Sequence, residues 1–171
     1  MIATVLSVNA GPLARVEGLT RPSGIRKHPV DRIAVRDPGP KHGGLGSGVV
    51  GDVIYSRKHH GGDTQAVYAV AREELDRWER ELGRELGNGM FGENLTTSGL
   101  DVDGAEVGEQ WRVGTSLLEV CGPRVPCATF AAHMGEPRWV RRFADHGRTG
   151  AYLAVREAGV IETDDPIEVV H

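Results

Sequence analysis

The sequence predicts a mainly β fold, a barrel or sandwich with a few helices on its surface, and three observations predict it. Its 171 residues fall below the length at which chains split into separate cores. Its apolar segments are short, rich in β-branched residues and separated by turn residues at intervals of about 8 to 15, a pattern of strands and not of a helical bundle. Glycine supplies 24 residues, about twice the average usage, so the core is glycine-rich and the backbone turns often.

In chain order, strands are expected over residues 3–8 and 31–35. Residues 22–62 form a long stretch, basic in places and crowded with glycine, in which a further short strand is expected over 53–55. A strand over 66–70 leads into a helix over 72–82, where Leu75, Trp78 and Leu82 form one apolar stripe and Glu73/Arg77 and Asp76/Arg80 are spaced to pair on the wet side. That helix should lie on the surface of the β core. After a strand over 94–97, residues 110–121 read as a hairpin: Gly114-Thr115 places glycine at the first turn position of a type II′ turn, and Trp111 and Val113 alternate with polar neighbours. A second helix over 136–146 opens near Pro137, buries Trp139, Val140 and Phe143, and stops at Gly147, where a left-handed residue closes it. Strands over 151–155 and 167–170 complete the set. There is no internal repeat and no linker long enough to divide the chain, so residues 1–171 are expected to form one domain.

Composition narrows the function. Lys and Arg number 20 against 24 Asp and Glu, a net charge of −4 without any long run of like charges, which argues against a dedicated nucleic-acid binder. No apolar stretch reaches the roughly 18 residues of a membrane helix, and residues 1–8 lack the basic region and cleavage site of a signal peptide. A cytoplasmic protein is expected. The two cysteines, Cys121 and Cys127, are too few for a disulfide framework or a Cys-only zinc site, so a cysteine here acts as a thiol.

Several short motifs carry chemistry. Residues 46–51 spell GxGxxG, but a dinucleotide fingerprint follows a strand and opens a helix, whereas prolines precede this one and a strand-like Val53-Ile54-Tyr55 follows it. The glycines either turn amides toward an anion or let chain segments approach closely; a plain mobile loop fits the composition equally. In Arg57-Lys58-His59-His60-Gly61-Gly62, donors beside glycine amides suit a phosphate. Neighbouring histidines on a strand face opposite ways, which excludes a His-His metal site. Pro123-Arg124-Val125-Pro126-Cys127 holds Cys127 on a rigid turn, with Arg124 favouring the thiolate that attacks electrophiles or binds a soft metal. Cys121, on a strand, reads as an inert packing residue. Asn94 either caps a turn or offers a donor and an acceptor to a ligand. No GxSxG, HExxH, Walker loop or EF-hand occurs.

In order and spacing these segments resemble the MOSC domains, named for the C-terminal domain of molybdenum-cofactor sulfurase. The resemblance rests on Ser23-Gly24-Ile25-Arg26-Lys27-His28-Pro29-Val30, on Gly51-Asp52 and His60-Gly61-Gly62, on Phe91-Gly92-Glu93-Asn94-Leu95, on the 108–121 hairpin, on Pro123-Arg124-Val125-Pro126-Cys127, and on residues 147–155. It looks closest to the stand-alone bacterial branch associated with detoxifying N-hydroxylated nucleobases. The resemblance implies a flattened β-barrel with peripheral helices and a cleft in which one cysteine handles molybdenum or persulfide sulfur. Cys127 matches the family cysteine, as catalytic residue and molybdenum ligand, while Lys27, His60, Gly61, Asn94 and Arg124 match positions that would hold the molybdenum cofactor (molybdopterin) or the substrate. The implied activity is reduction of N-hydroxylated compounds with electrons from a reductase or ferredoxin-like protein.

The alternative keeps the fold and makes it a carrier, with Cys127 bearing a persulfide received from a cysteine-desulfurase-like donor; pyridoxal phosphate would then enter only through that sulfurase partner. A third reading is a non-catalytic anion-binding barrel that uses the glycine and His60 loops. Two departures from the family pattern stand out. Gln65 is neutral where a basic residue is usual, and the chain ends at His171, where close relatives carry a small helical extension. With no Cys set for an iron-sulfur cluster and no flavin motif, redox turnover must draw electrons from another protein.

Overall fold

Short alternating segments build strands β1 (Thr4–Ala10), β2 (His28–Val30), β3 (Arg32–Val35), β4 (Val67–Ala71), β5 (Leu95–Ser98), β6 (Gln110–Val113), β7 (Ser116–Pro123), β8 (Ala151–Glu157), β9 (Gly159–Glu162) and β10 (Ile167–Val170). Helices α1 (Arg72–Leu82), α2 (Ala128–Met134) and α3 (Trp139–His146) accompany them. The computed structural model describes residues 2–170; the chain ends named above, Met1 and His171, lie outside the described residues.

Eight strands form one sheet in the order β10-β6-β7-β8-β4-β5-β1-β2, and β3 and β9 pair as a separate ribbon. The sheet curls until its ends approach. An isolated bridge joins Thr4 to Pro166, and Ile167 N donates to Ala3 O at 2.8 Å and Val5 N to Asp165 O at 2.9 Å. This is a flattened barrel joined along one seam by a few hydrogen bonds in place of a full ladder, as the family resemblance implies. All ladders are antiparallel except β4 with β5. A parallel pair needs a crossover, and α1 supplies it on the outer face, as its apolar stripe predicts.

Strand β4 is buried along its whole length because both its faces are covered. Val67, Ala69 and Ala71 point into the barrel with Val5, Trp111, Leu118 and Leu153. Tyr68 and Val70 point outward into a second core with Leu75, Trp78, Phe91, Phe130, Trp139 and Phe143. The chain has only nine aromatic side chains, three each of Phe, Trp and Tyr, and most of them sit in this outer core, in edge-on contacts such as Phe130 on Phe143 at 4.9 Å and Trp78 on Trp139 at 4.7 Å.

The turn at Gly114 (φ 55°) has its only positive φ at the first position, as type II′ requires. Gly147 (φ 77°) closes α3 as expected. Three expectations need correction. Residues 53–55 form no strand; the segment pairs instead through Val49, which bridges Val35. Val140 is 38% exposed, because α3 starts at Trp139 and only one stripe of so short a helix faces inward. Arg72, and not Arg77 or Arg80, makes the ion pairs within α1, with Asp76 and Glu79 at 2.6 Å each. Helix α2 is an addition to the expected set, and strands β2 and β9 are additions that periodicity did not announce. Three or four residues give too few repeats to show a period, and β2 is exposed throughout.

Candidate functional site

Where the loops before β2 and β4 meet the start of β5 and the segment between β7 and α2, they enclose a cavity of about 560 Å³, within the size range of small-molecule sites. Lys27, His60, Gly61, Asn94, Arg124 and Cys127 all line it. The structure brings the six sequence-derived candidates together, although they come from four separate segments.

Cys127 is the extended residue (φ −131°, ψ 170°) immediately before α2, so the rigid turn after Pro126 delivers its thiol to the first turn of a helix. Burial raises the pKa of the Cys127 thiol, but the influence of His60, of the Phe130 backbone and of the Arg124 charge outweighs burial, and the pKa falls to about 7. The thiolate is therefore favoured relative to that of an ordinary cysteine. Cys121 differs: burial pushes its pKa up, its Sγ lies 3.5 Å from Glu119 O, and both cysteines are free.

Arg124 is 7% exposed. Its guanidinium lies 3.9 Å from the centroid of Phe130 and 4.9 Å from that of Tyr68, a cation held by ring faces. Nη1 donates to the carbonyl of Phe91, Nε has no partner, and among the described residues no carboxylate pairs with it. The supports are themselves braced. Tyr68 Oη donates to Thr149 O at 2.6 Å, and Arg124 N to Gly150 O at 3.2 Å. Buried Glu93 accepts from Gly89 N at 2.7 Å and Phe91 N at 2.9 Å, folding the turn that aims the Phe91 carbonyl at Arg124. Burial raises the Glu93 pKa.

Lys27 and Asn94 reach the cavity wall with their polar atoms already engaged. Asp52 accepts from Lys27 Nζ at 2.7 and 2.8 Å and from Asn94 Nδ2 at 2.9 Å. The Lys27 and Asp52 side chains are 8% and 2% exposed. Asn94 also donates to Asn9 O at 3.2 Å and accepts from Tyr68 N at 3.2 Å. Gly61 (φ 81°) permits a close crossing: a Cβ there would lie 2.7 Å from Gly46 O, and Gly62 N donates to that same carbonyl at 2.9 Å. Of the two uses offered for these glycines, close approach accounts for Gly46 and Gly61. No helix follows residues 46–51. Gln65 lines the cavity, and its Oε1 is buried without a partner.

Sequence reasoning missed Asp52, Tyr68 and Tyr152 as cavity residues. Asp52 stood in the Gly51-Asp52 motif, but its partners Lys27 and Asn94 are remote in sequence. Tyr68 and Tyr152 meet because β4 and β8 pair in that register. Helix α2 had a usable signal in Phe130 and Met134 one turn apart with Gly135 after them.

A profile of the MOSC domain matches residues 56–168. Among curated proteins, the chain is 32% identical over 169 residues to the uncharacterized protein YflK of Bacillus subtilis, covering 98% of this chain and 73% of that one. It is 30% identical over 128 residues to a protein named reductase from Gibberella moniliformis, covering 72% of this chain and 23% of that longer one. Among solved structures, YiiM from Geobacillus stearothermophilus superposes with a TM-score of 0.75 at 29% identity, over 99% of this chain and 75% of that one.

Proposed function

The chain belongs to the MOSC domain family, and from that premise we propose that it is a cytoplasmic molybdenum-cofactor protein that reduces N-hydroxylated compounds. The observation that carries the proposal is one wall of the cavity: the thiol of Cys127, shifted toward its soft thiolate form, beside a buried guanidinium at Arg124 that pairs with no carboxylate among the described residues. A thiolate suits molybdenum, and an unneutralised buried cation suits an anionic group such as a phosphate.

The residues fit such a group. No cluster of three or more His, Cys, Asp or Glu side chains converges as a metal site among the described residues, so a metal held by Cys127 must arrive with ligands of its own, as the pterin cofactor brings it. Cys127 Sγ would ligate it, with Arg124 and His60 facing its anionic part. When bound, the cofactor supplies a centre that takes up oxygen and relays electrons. Lys27, Asp52 and Asn94 form a rigid, mutually hydrogen-bonded wall, and Gly61 lets the His60 loop pass close behind. Ring faces of Tyr68 and Phe130 keep water from Arg124. In the overall reaction two electrons and two protons cleave the N–O bond, giving the amine and water. The electrons come from a separate reductase or ferredoxin-like protein, and the name of the fungal relative supports a redox role.

Purified from a host that makes the cofactor, the protein is expected to contain molybdenum and pterin in stoichiometric amount by elemental analysis and fluorescence, and Cys127→Ala to contain neither. Wild-type metal content in that variant overturns the reading. The carrier alternative draws on the same thiolate, which is also the form that accepts sulfur. A labile additional sulfur on Cys127 by mass spectrometry, with no turnover when a reduced donor is supplied, would establish it instead.

A further inference from the structure

The outer half of the cavity has a charge pattern that Cys127 and Arg124 do not explain. Residues 12–62 carry nine Lys and Arg against four Asp and Glu, while the rest of the chain carries eleven against twenty. This basic stretch supplies the mouth of the cavity. Seven side chains bearing carboxylate, ammonium, guanidinium or imidazole groups line the cavity: Arg21, Lys27, Asp52, Arg57, Lys58, His60 and Arg124. Asp52 is the single carboxylate among them, and Lys27 neutralises it. Arg21, Arg57 and Lys58 at the mouth pair with no carboxylate among the described residues, although most arginines of the helices and later strands do. The two arginines are also held in place. Arg57 Nη1 donates to Gly44 O at 3.1 Å, which holds its stem beside Gly46, and the Arg21 guanidinium lies 5.9 Å from the centroid of Tyr55. That ring is 46% exposed and itself lines the cavity.

Three unneutralised cations around a concave opening concentrate positive potential there, and guanidinium groups match a phosphate in geometry as well as charge. An exposed aromatic face among them offers a stacking surface. We infer that the mouth is a second anion site, distinct from the one at Arg124, for a phosphate group carried on a planar ring. Resting on the function proposed above, this names the substrate class: an N-hydroxylated base presented as its nucleotide, with the phosphate at Arg21, Arg57 and Lys58 and the ring directed inward. The same chemistry is present in a nucleotide-extended cofactor, and the two sources are separable.

The test measures AMP and adenosine binding by calorimetry. AMP is expected to bind the protein at least about tenfold more tightly than adenosine, the factor that one charge-assisted contact provides. The double variant Arg57→Ala/Lys58→Ala should remove that preference, and Arg21→Ala, on a different segment, should reduce it. Cys127→Ala should keep it, so the mouth can be judged even if the molybdenum reading fails. Retention of the preference in cofactor-loaded protein assigns the site to substrate, and its loss on loading assigns it to the cofactor's own phosphate. Equal affinity for AMP and adenosine, no measurable binding of either, or an undiminished preference in the double variant overturns the inference.

Discussion

At Cys127 the chemistry depends on a balance between burial, which favours the thiol, and His60, Phe130 and Arg124, which favour the thiolate. The balance sets a pH dependence. In cofactor-free protein the rate of iodoacetamide alkylation at Cys127 should rise with pH through a midpoint near 7, falling away below it as the thiolate is protonated. His60→Ala should move the midpoint upward, because it removes the larger of the stabilising contacts. Peptide mapping of the alkylated residue separates this from Cys121, whose raised pKa keeps it slow throughout. Asp52 is the complementary case, a carboxylate whose value lies in what it pairs. Asp52→Asn leaves the Lys27 ammonium, 8% exposed, without its counter-charge, and loss of one member of a buried pair costs about 3–5 kcal/mol. Urea denaturation should show that loss. Lys27→Met/Asp52→Asn together should recover part of it.

Helix α2 links stability to chemistry at the element scale. It is a seven-residue helix, too short to stand by itself, and it holds Cys127 in place only because Phe130 and Met134 are anchored in the outer aromatic core. Phe130 also provides the ring nearest the Arg124 guanidinium. Phe130→Ala should therefore do two things: lower stability by about 3–5 kcal/mol and raise the midpoint of Cys127 alkylation. Phe143→Ala, in the same core but remote from Cys127 in the chain, should reproduce the stability loss and leave the midpoint near the wild-type value. The long elements were legible in sequence for physical reasons: α1 shows its stripe over three turns, and the β6–β7 hairpin shows its alternation and turn glycine. Strands β2 and β9 were not, since their pairing is decided by partners and their own residues show no period.

For the whole molecule, the governing feature is that β4 faces two cores. Neither the barrel nor the helical layer can lose its packing without uncovering one face of this strand, so the cores should unfold together. Near-UV circular dichroism, dominated by the outer aromatic cluster, and far-UV circular dichroism, dominated by the sheet, are expected to melt at one temperature. An earlier near-UV transition would show the helical layer to be separable. Charge is organised on the same scale: an overall net charge of −4 conceals a basic mouth and an otherwise acidic surface, a polarity that composition alone does not reveal.

What the sequence determined by itself was local or cumulative: the β class, the principal helix and hairpin, the thiol character of the cysteines, and the candidate residues carried by the family motifs. Those follow from periodicity, turn chemistry and short contiguous patterns, all of which survive in a linear string. Only the tertiary structure decided which candidates have free polar atoms. Lys27 and Asn94 are committed to Asp52, Arg124 has ring faces where an ion-pair partner would be, and Tyr68 and Tyr152 join the cavity through a strand register. Each of these depends on atoms from distant segments meeting within a few ångströms, and hydrogen bonding and charge compensation act at that range whatever the separation along the chain.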